Sequence, residues 1–164
     1  MKTAAVAGIV LGVLCVAWTF VMGYTGWYLD PVKLNLFYVV IGIEVAVLIV
    51  MLGRTARQGF GYGKQVGAGA LAALIGGIVI FAGSYLFTTV AFPNYFTDLM
   101  RVQEQMLRQS GQSEADIART MDAARMANTP LFNAFTGFLG TLITGVVCSL
   151  VIAAFTRARR PAAG

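Results

Sequence analysis

One carboxylic acid lies inside a long apolar stretch, and it is the side chain of this sequence best placed to do chemistry. Glu44 falls within Leu34–Leu52, and its neighbours one helical turn away on either side are apolar. An ionisable side chain inside a membrane span is costly to bury and usually marks a function. The functional hypothesis is a proton-carrying carboxyl of a transporter. The structural alternative is a polar contact between helices or with another subunit.

The expected depth of Glu44 indicates its protonation state. Counted from the span ends, Glu44 should lie level with Cys15, Thr144 and Gly145, where no Lys, Arg or His occurs. Burial without a positive partner disfavours the charged carboxylate. We therefore expect a neutral Glu44 that donates a hydrogen bond to a hydroxyl or a backbone carbonyl. Thr144 is expected to be among the polar residues of the membrane interior.

No other group of residues predicts catalysis or cofactor binding. The chain has no histidine, which is the commonest general base and metal ligand. The segment Gly59–Lys64 is rich in glycine but lacks the spacing of a phosphate-binding loop. Four methionines between residues 93 and 130 could bind copper(I), but their spacing is irregular, so packing is the expected role. We expect no catalytic residue, no metal, no cofactor and no enzymatic activity.

The composition predicts an integral membrane protein. Hydrophobic residues make up 58% of the chain and charged residues 12%, whereas soluble domains carry about 25% charged residues. The apolar segments 3–24, 34–52, 66–92 and 131–155 are long enough to cross a bilayer as helices. The expected fold class is all-α, a single domain with four membrane helices. The net charge of +5 is clustered at the span ends, so no nucleic-acid partner is expected.

The polar segment 93–130 predicts an amphipathic helical hairpin outside the hydrocarbon. Its apolar residues recur near helical spacing, and Ser110-Gly111 marks the turn between two helices. Ser113 and Asp116 form a variant of the capping box at the start of the second helix. Acids and arginines alternate at helical spacing, so ion pairs are expected rather than a catalytic pair of carboxylates.

Small residues recur at every fourth position in the third and fourth spans. The two stripes are Gly69, Ala73 and Gly77, and Gly137, Thr141 and Gly145. Such stripes let helix backbones approach closely. We expect contacts within the bundle, with the alternative that one stripe faces another protein.

Aromatic and basic side chains at the span ends predict interface anchors and an orientation. The anchors are Trp27, Tyr28, Tyr62 and Lys64. Lys and Arg are concentrated in the second loop and the C-terminal tail, at Arg54, Arg57, Lys64, Arg157, Arg159 and Arg160. Short basic loops stay in the cytoplasm. Both termini are therefore expected to be cytoplasmic and residues 93–130 external, with the lipid bilayer as the first partner.

Several short motifs along the chain resemble a known family. The motifs are Gly59-Phe60 and Tyr62-Gly63-Lys64 before a glycine-rich span, the sequence Phe-Pro-Asn-Tyr at Phe92–Tyr95, the sequence Ser-Gly-x-Ser-Glu at Ser110–Glu114, and Pro130 at the start of the last span. In this order and spacing they resemble a bacterial inner-membrane family that is classed as a domain of unknown function. The resemblance implies four membrane helices, a helical hairpin between the third and fourth, and a place in the bacterial inner membrane. In that membrane, the external side that the basic residues predict for the hairpin is the periplasm. It implies no catalytic residues.

Two functions are compatible with these features. The leading hypothesis is a non-enzymatic membrane protein that acts by protein–protein interaction, as a small accessory or assembly subunit bound to other membrane subunits or to itself. The alternative is a small transporter or channel component that uses Glu44. Transport would need a polar path through the bundle, and the sequence shows only scattered Thr and Ser there. A hydrated cavity that reaches Glu44 would favour transport.

Overall fold

The computed structural model of the chain describes residues 1–156, and this part is helical without a strand. The α-helices are α1 (Lys2–Tyr24), α2 (Val39–Arg57), α3 (Tyr62–Leu86), α4 (Tyr95–Gln109), α5 (Glu114–Ala127) and α6 (Pro130–Thr156). Short 3-10 helices at Trp27–Leu29 and Lys33–Tyr38 link α1 to α2, and a π-helical turn at Phe87–Ala91 extends α3. Arg157, Arg159 and Arg160, which contribute to the predicted orientation in the membrane, lie outside the described residues.

Four of the helices are long and apolar enough to cross a membrane, as the composition predicts. They are α1, α2 with its preceding 3-10 turn, α3 with its π-helical turn, and α6. Much of their apolar surface is exposed in the isolated chain, including Val10 on α1, Val50 on α2, Ile78 on α3 and Val147 on α6. An apolar outer surface of this kind is what a helix bundle presents to lipid.

The four long helices form a ring in the order α1, α3, α6, α2. Helix α3 packs most extensively against α6 and α1, while α2 closes the ring by contacts with α6 and α1. Contacts between α2 and α3, which lie across the ring, are much fewer. Space can therefore remain in the middle of the bundle wherever the side chains are small.

Close approach of α3 to both neighbours depends on small residues. At the contact of α1 with α3, a Cβ added at Gly76 would lie 2.9 Å from Leu11 Cδ2. At the contact of α3 with α6, Gly69 faces Ser149, Ala73 faces Gly145, and a Cβ added at Gly77 would lie 2.9 Å from Phe138 Cδ2. The α3 stripe and Gly145 of the α6 stripe therefore lie at the contact between these two helices.

Several boundaries differ from the sequence-based expectation. The second span begins with a 3-10 turn at Lys33 and continues to Arg57, so Arg54 lies on the helix and not in a loop. Helix α3 begins at Tyr62, four residues earlier than expected. Glycine has a low helix propensity, but the packing of a bundle can override it, so a glycine-rich segment can still be helical. Polar residues were expected to end these spans, but a membrane helix commonly extends past the hydrocarbon.

Helices α4 and α5 pack against each other across a tight turn at Ser110–Ser113. The Ser113 hydroxyl accepts a hydrogen bond from the Asp116 backbone N–H at 3.2 Å and caps α5, as the capping-box pattern indicates. Arg108 donates to Glu104 at 3.0 Å and to Glu114 at 2.7 Å, which links the two helices. Four of the five acids of this segment, Asp98, Glu104, Glu114 and Asp122, thus pair with arginines, in agreement with the pattern of their spacing.

An aromatic cluster fixes the start of α4 to one end of the bundle, which we call the α4 end. Tyr28, Phe87 and Tyr95 are its buried members, and Phe20 and Phe92 pack around them. The Tyr28 hydroxyl donates to Asp98 Oδ2 at 3.4 Å. The α4 end also contains the end of α1 and the starts of α2 and α6.

Candidate ligand-binding site

Glu44 lies near the middle of α2 and points into the bundle. Its side chain is buried, with 4% of the residue exposed. The carboxyl occupies room left by a glycine on α6, since a Cβ added at Gly145 would lie 2.7 Å from Glu44 Oε1. The predicted depth of Glu44 agrees with the surroundings, because Cys15 and Thr144 border the same space. The α3 residue at this level is Ala73.

The carboxyl of Glu44 lacks the partner that the sequence analysis expected. Its Oε1 atom is buried and has no hydrogen bond to any protein group within residues 1–156. The predicted bond to a hydroxyl or backbone carbonyl is therefore missing for this oxygen. An unpaired polar atom in a protein interior costs about 1–3 kcal/mol. Oε1 lies against Gly145 of α6, while Glu44 as a residue belongs to the lining of a cavity.

A cavity of about 650 Å³ extends from Glu44 towards the α4 end. Residues of α1, α2, α3 and α6 line it, together with the 3-10 turn before α2 and the first residue of α4. Its polar wall is made of Thr19, Ser84, Asn133, Thr136, Thr141 and Thr144. The volume falls within the range of about 300–1,000 Å³ that is typical of small-molecule sites.

The cavity is closed below Glu44, whereas several of its lining residues are exposed. At the α4 end, which we call the mouth, Tyr38 is 69% exposed, and Asn35 and Asn133 are exposed as well; nearer Glu44, Ile41 and Gly140 are also exposed. Below Glu44, four apolar side chains fill the space between the helices. This apolar plug consists of Leu48, Met51, Leu52 and Ala72, each no more than 2% exposed.

The electrostatic character of the cavity follows from its lining residues. Glu44 is the one carboxylate among them, and neither Lys nor Arg borders the space in the described part of the chain. Burial raises the pKa of Tyr95 at the mouth to about 12, so its phenol stays protonated at neutral pH. The site therefore offers hydroxyls, amides, aromatic rings and a single acid, which suits a neutral or positively charged guest.

The cysteines lie in the bundle, apart from the methionines of α4 and α5. Cys15 and Cys148 are free thiols, and the Cys15 thiol donates to the Val40 carbonyl at 3.8 Å. No group of three or more His, Cys, Asp or Glu residues close enough to hold a metal occurs among the described residues. Met100 and Met121 line a charged groove between α4 and α5, whereas Met126 is 84% exposed.

The predicted interface anchors have different surroundings. Trp27 is half-buried and packs edge-to-face on Trp18, with 6.3 Å between ring centroids. Tyr62 is exposed and its hydroxyl donates to the Leu150 carbonyl at 3.4 Å, while Lys64 is exposed on the first turn of α3. Tyr28 is not at a surface, because only 6% of it is exposed and it packs inside the aromatic cluster. It anchors α4 to the bundle instead.

The convergence of the polar α6 residues on one cavity was not predicted from the sequence. Asn133, Thr136, Gly140 and Thr144 recur at three- and four-residue spacing on α6 and line the cavity together with Thr141. Residues at this spacing share one face of a helix. The Thr residues that are scattered along the sequence thus form a polar stripe on one face of α6. The helical periodicity of α6 was the sequence signal that could have revealed this stripe.

Comparison with known proteins places the chain in a family. A search of curated proteins and a search of solved structures found no match. A family model described as "Protein of unknown function (DUF4199)" matches residues 7–158, a range that runs from α1 through the end of α6 and includes Glu44 and the whole polar stripe. The chain therefore belongs to this family.

Proposed function

We propose that this protein is a small, non-enzymatic membrane transporter or transporter component, which takes a small solute into the cavity and binds it through Glu44. The observation that carries the proposal is the buried carboxyl of Glu44 at the closed end of a polar-lined cavity, with its Oε1 unpartnered among the described residues. A bundle whose only role was to hold helices together would gain stability by filling this space. A cavity with Glu44 in its lining supports transport over a purely structural role for this carboxyl.

A transport cycle would need the apolar plug to open. Leu48, Met51 and Leu52 all belong to α2. Helix α2 makes the least extensive contacts of the four long helices, and its first turn is 3-10 rather than α-helical. A shift of α2 against the tightly packed unit of α1, α3 and α6 would move the plug and Glu44 together. This makes α2 the moving element of the proposed mechanism.

The proposed orientation places the mouth of the cavity outside the cell. Arg54, Arg57 and Lys64 all lie at the end of the bundle opposite the mouth, and basic residues favour the cytoplasmic side. In a bacterial inner membrane, the α4–α5 pair and the mouth would then face the periplasm, and both termini the cytoplasm. Solute would enter from the periplasm and meet Glu44 about halfway across.

Occlusion of the cavity provides a test that does not require the solute to be known. Gly140 lines the cavity, and a Cβ added there meets no atom within 4 Å. Gly140→Leu should fill the cavity without disturbing a helix contact. Gly67→Leu is the matched control, since Gly67 also has open space around it but does not border the cavity.

The purified variants would be reconstituted in liposomes and incubated with a mixture of small metabolites extracted from cells. Mass spectrometry of the washed liposomes identifies the solutes retained. We expect at least one solute to be retained by the wild type and by Gly67→Leu, but not by Gly140→Leu or Glu44→Gln. If the four proteins retain the same solutes as empty liposomes, the transport proposal is wrong.

Interaction with other membrane subunits is the second candidate function. The observation in its favour is the α4–α5 pair, in which α5 packs extensively only on α4 and leaves Met126 84% exposed. Native mass measurement after extraction in mild detergent distinguishes the two candidates. A stable assembly with other subunits would favour the accessory role, whereas a monomer that retains solute would favour transport.

A further inference from the structure

We infer that the cavity binds a small organic monocation, with its ammonium group at Glu44 and its apolar part against the aromatic side chains near the mouth. This inference rests on the proposed function and names the class of solute that the same site would take. It follows from the sign of charge, the number of charges and the distribution of apolar surface along the cavity.

The sign of the charge follows from what lines the space. Glu44 is the one carboxylate, and the lining holds no Lys or Arg among the residues that the structure describes. An anion would meet no opposite charge and would lie against a carboxyl at the closed end. A cation finds in Glu44 a carboxyl that belongs to the lining and whose Oε1 has no hydrogen-bond partner among residues 1–156. A charge-assisted hydrogen bond to this carboxyl is stronger than one between neutral groups.

The number of charges follows from the single acid. A divalent metal ion binds several oxygen, nitrogen or sulfur ligands from the protein, and residues 1–156 contain no cluster of three or more such acidic, thiol or imidazole groups. Glu44, which is expected to be neutral in the empty cavity, would release its proton to the solvent as the ammonium enters, and the resulting carboxylate balances one positive charge. The hydroxyls of Thr141 and Thr144 lie along the same wall and can accept the remaining N–H donors of an ammonium group.

The shape of the guest follows from the aromatic residues above Glu44. Phe37, Tyr38, Phe87 and Tyr95 all border the cavity. Tyr38 lies six residues before Glu44, which corresponds to about 9 Å along a helix. A guest whose ammonium group reaches Glu44 therefore has room for an apolar body the size of one ring. Aromatic faces also attract cations, which helps the charged group to enter past the mouth.

The test compares three probes of the same size and different charge. They are 2-phenylethylammonium, 2-phenylethanol and phenylacetate. Binding to the protein in nanodiscs of uncharged phosphatidylcholine is measured by equilibrium dialysis at pH 7, and binding to empty nanodiscs is subtracted. We expect saturable binding of one ammonium per protein, at least tenfold weaker binding of the alcohol, and no saturable binding of phenylacetate.

The variants separate the charge from the space. Glu44→Gln should weaken binding of the ammonium at least tenfold and leave the alcohol unchanged, because the amide keeps the shape and loses the acid. Gly140→Leu should abolish binding of both probes, while Gly67→Leu and the surface variant Glu104→Gln should bind as the wild type does.

Two results would overturn the inference. One is that the alcohol or phenylacetate binds as tightly as the ammonium, or that Glu44→Gln binds the ammonium unchanged. The other is that the ammonium does not bind saturably or still binds to Gly140→Leu. In either case, the transport proposal would still stand, with a different class of solute, if Gly140→Leu abolishes solute retention in the metabolite assay. If Gly140→Leu retains the same solutes as the wild type, both the inference and the transport proposal are wrong.

Discussion

The two halves of the bundle are built from the same four helices, yet one half is packed and the other is open. Below Glu44, Leu48, Met51 and Leu52 of α2 fill the middle of the ring against α3 and α6. Above Glu44, α2 presents Ile41 and Val40, and the facing residues of α6 are Thr and Gly, so a cavity remains. The difference lies in the size of the side chains at the centre, and not in the helices or their order.

This comparison shows how a small membrane protein can form a site without a catalytic motif. Glycines on α3 and α6 bring those helices close on one side of the ring, and α2 stands off on the other. The polar stripe of α6 then faces the gap. We expect substitutions in the packed half to lower stability and substitutions in the open half to impair function.

The largest effect is expected where the two halves meet, at Gly145. A Cβ there would lie on Ala73 and 2.7 Å from Glu44 Oε1, so Gly145→Val should push α6 away from both α3 and α2. Overpacking of this kind costs about 1–3 kcal/mol, and more when backbone must move. We expect the thermal unfolding midpoint in detergent to fall sharply. Gly140→Val, which meets open space, is the control, and an equal loss in both variants would contradict the packing described here.

Truncation of the apolar plug should cost more than truncation of the cavity wall. Leu48 is fully buried, whereas Ile41 on the same helix borders the cavity and is 42% exposed. Leu48→Ala leaves a new void and should cost at least about 2 kcal/mol, and Ile41→Ala less than about 1 kcal/mol. Denaturant unfolding in mixed micelles measures both. Equal costs would mean that the two halves are packed alike.

Substitutions of Glu44 should separate function from stability. If the carboxyl is neutral, Glu44→Gln keeps its shape and should change the free energy of unfolding by less than about 1 kcal/mol. Glu44→Leu removes an unpaired polar atom and should keep or raise the unfolding midpoint while solute retention is lost. Thermal unfolding and the retention assay on the same samples check this. A Glu44→Gln protein that fails to fold would show that the neutral form is not the one present.

The smallest effect is expected at the anchor of α4. Tyr28→Phe removes the hydrogen bond to Asp98 but keeps the ring within the aromatic cluster. The loss should be about 0.5–1 kcal/mol. A double-mutant cycle with Asp98→Asn, followed by thermal unfolding, isolates the pair. A coupling energy near zero would show that the aromatic packing alone attaches α4.

The extent of the helices was largely predictable because long apolar runs leave a chain few alternatives in lipid. The spans 3–24 and 131–155 agree with α1 and α6 to within a residue or two at each end. The cap at Ser113 and the pairing of Glu104 with Arg108 were also predictable, since both are local in sequence.

The cavity was not predictable to the same degree because it depends on how helices far apart in the chain meet. Thr19 on α1, Ser84 on α3 and Thr141 on α6 share no pattern along the sequence, and only the order of the ring brings them together. The burial of Tyr28 has the same origin, since its partners Phe87 and Tyr95 lie far along the chain. The absence of a partner for Glu44 Oε1 could not be predicted either, because it requires the positions of all surrounding helices.

The central claim is that the open half leads from the surface to Glu44, and chemical labelling tests it most directly. A water-soluble carbodiimide would be added to the protein in nanodiscs, and peptide mapping by mass spectrometry would follow modification of Glu44 with time. The account predicts that Glu44 is modified in the wild type and in Gly67→Leu, and is protected at least tenfold in Gly140→Leu. A Glu44 that is unreactive in all three proteins, or equally reactive in all three, would contradict the account.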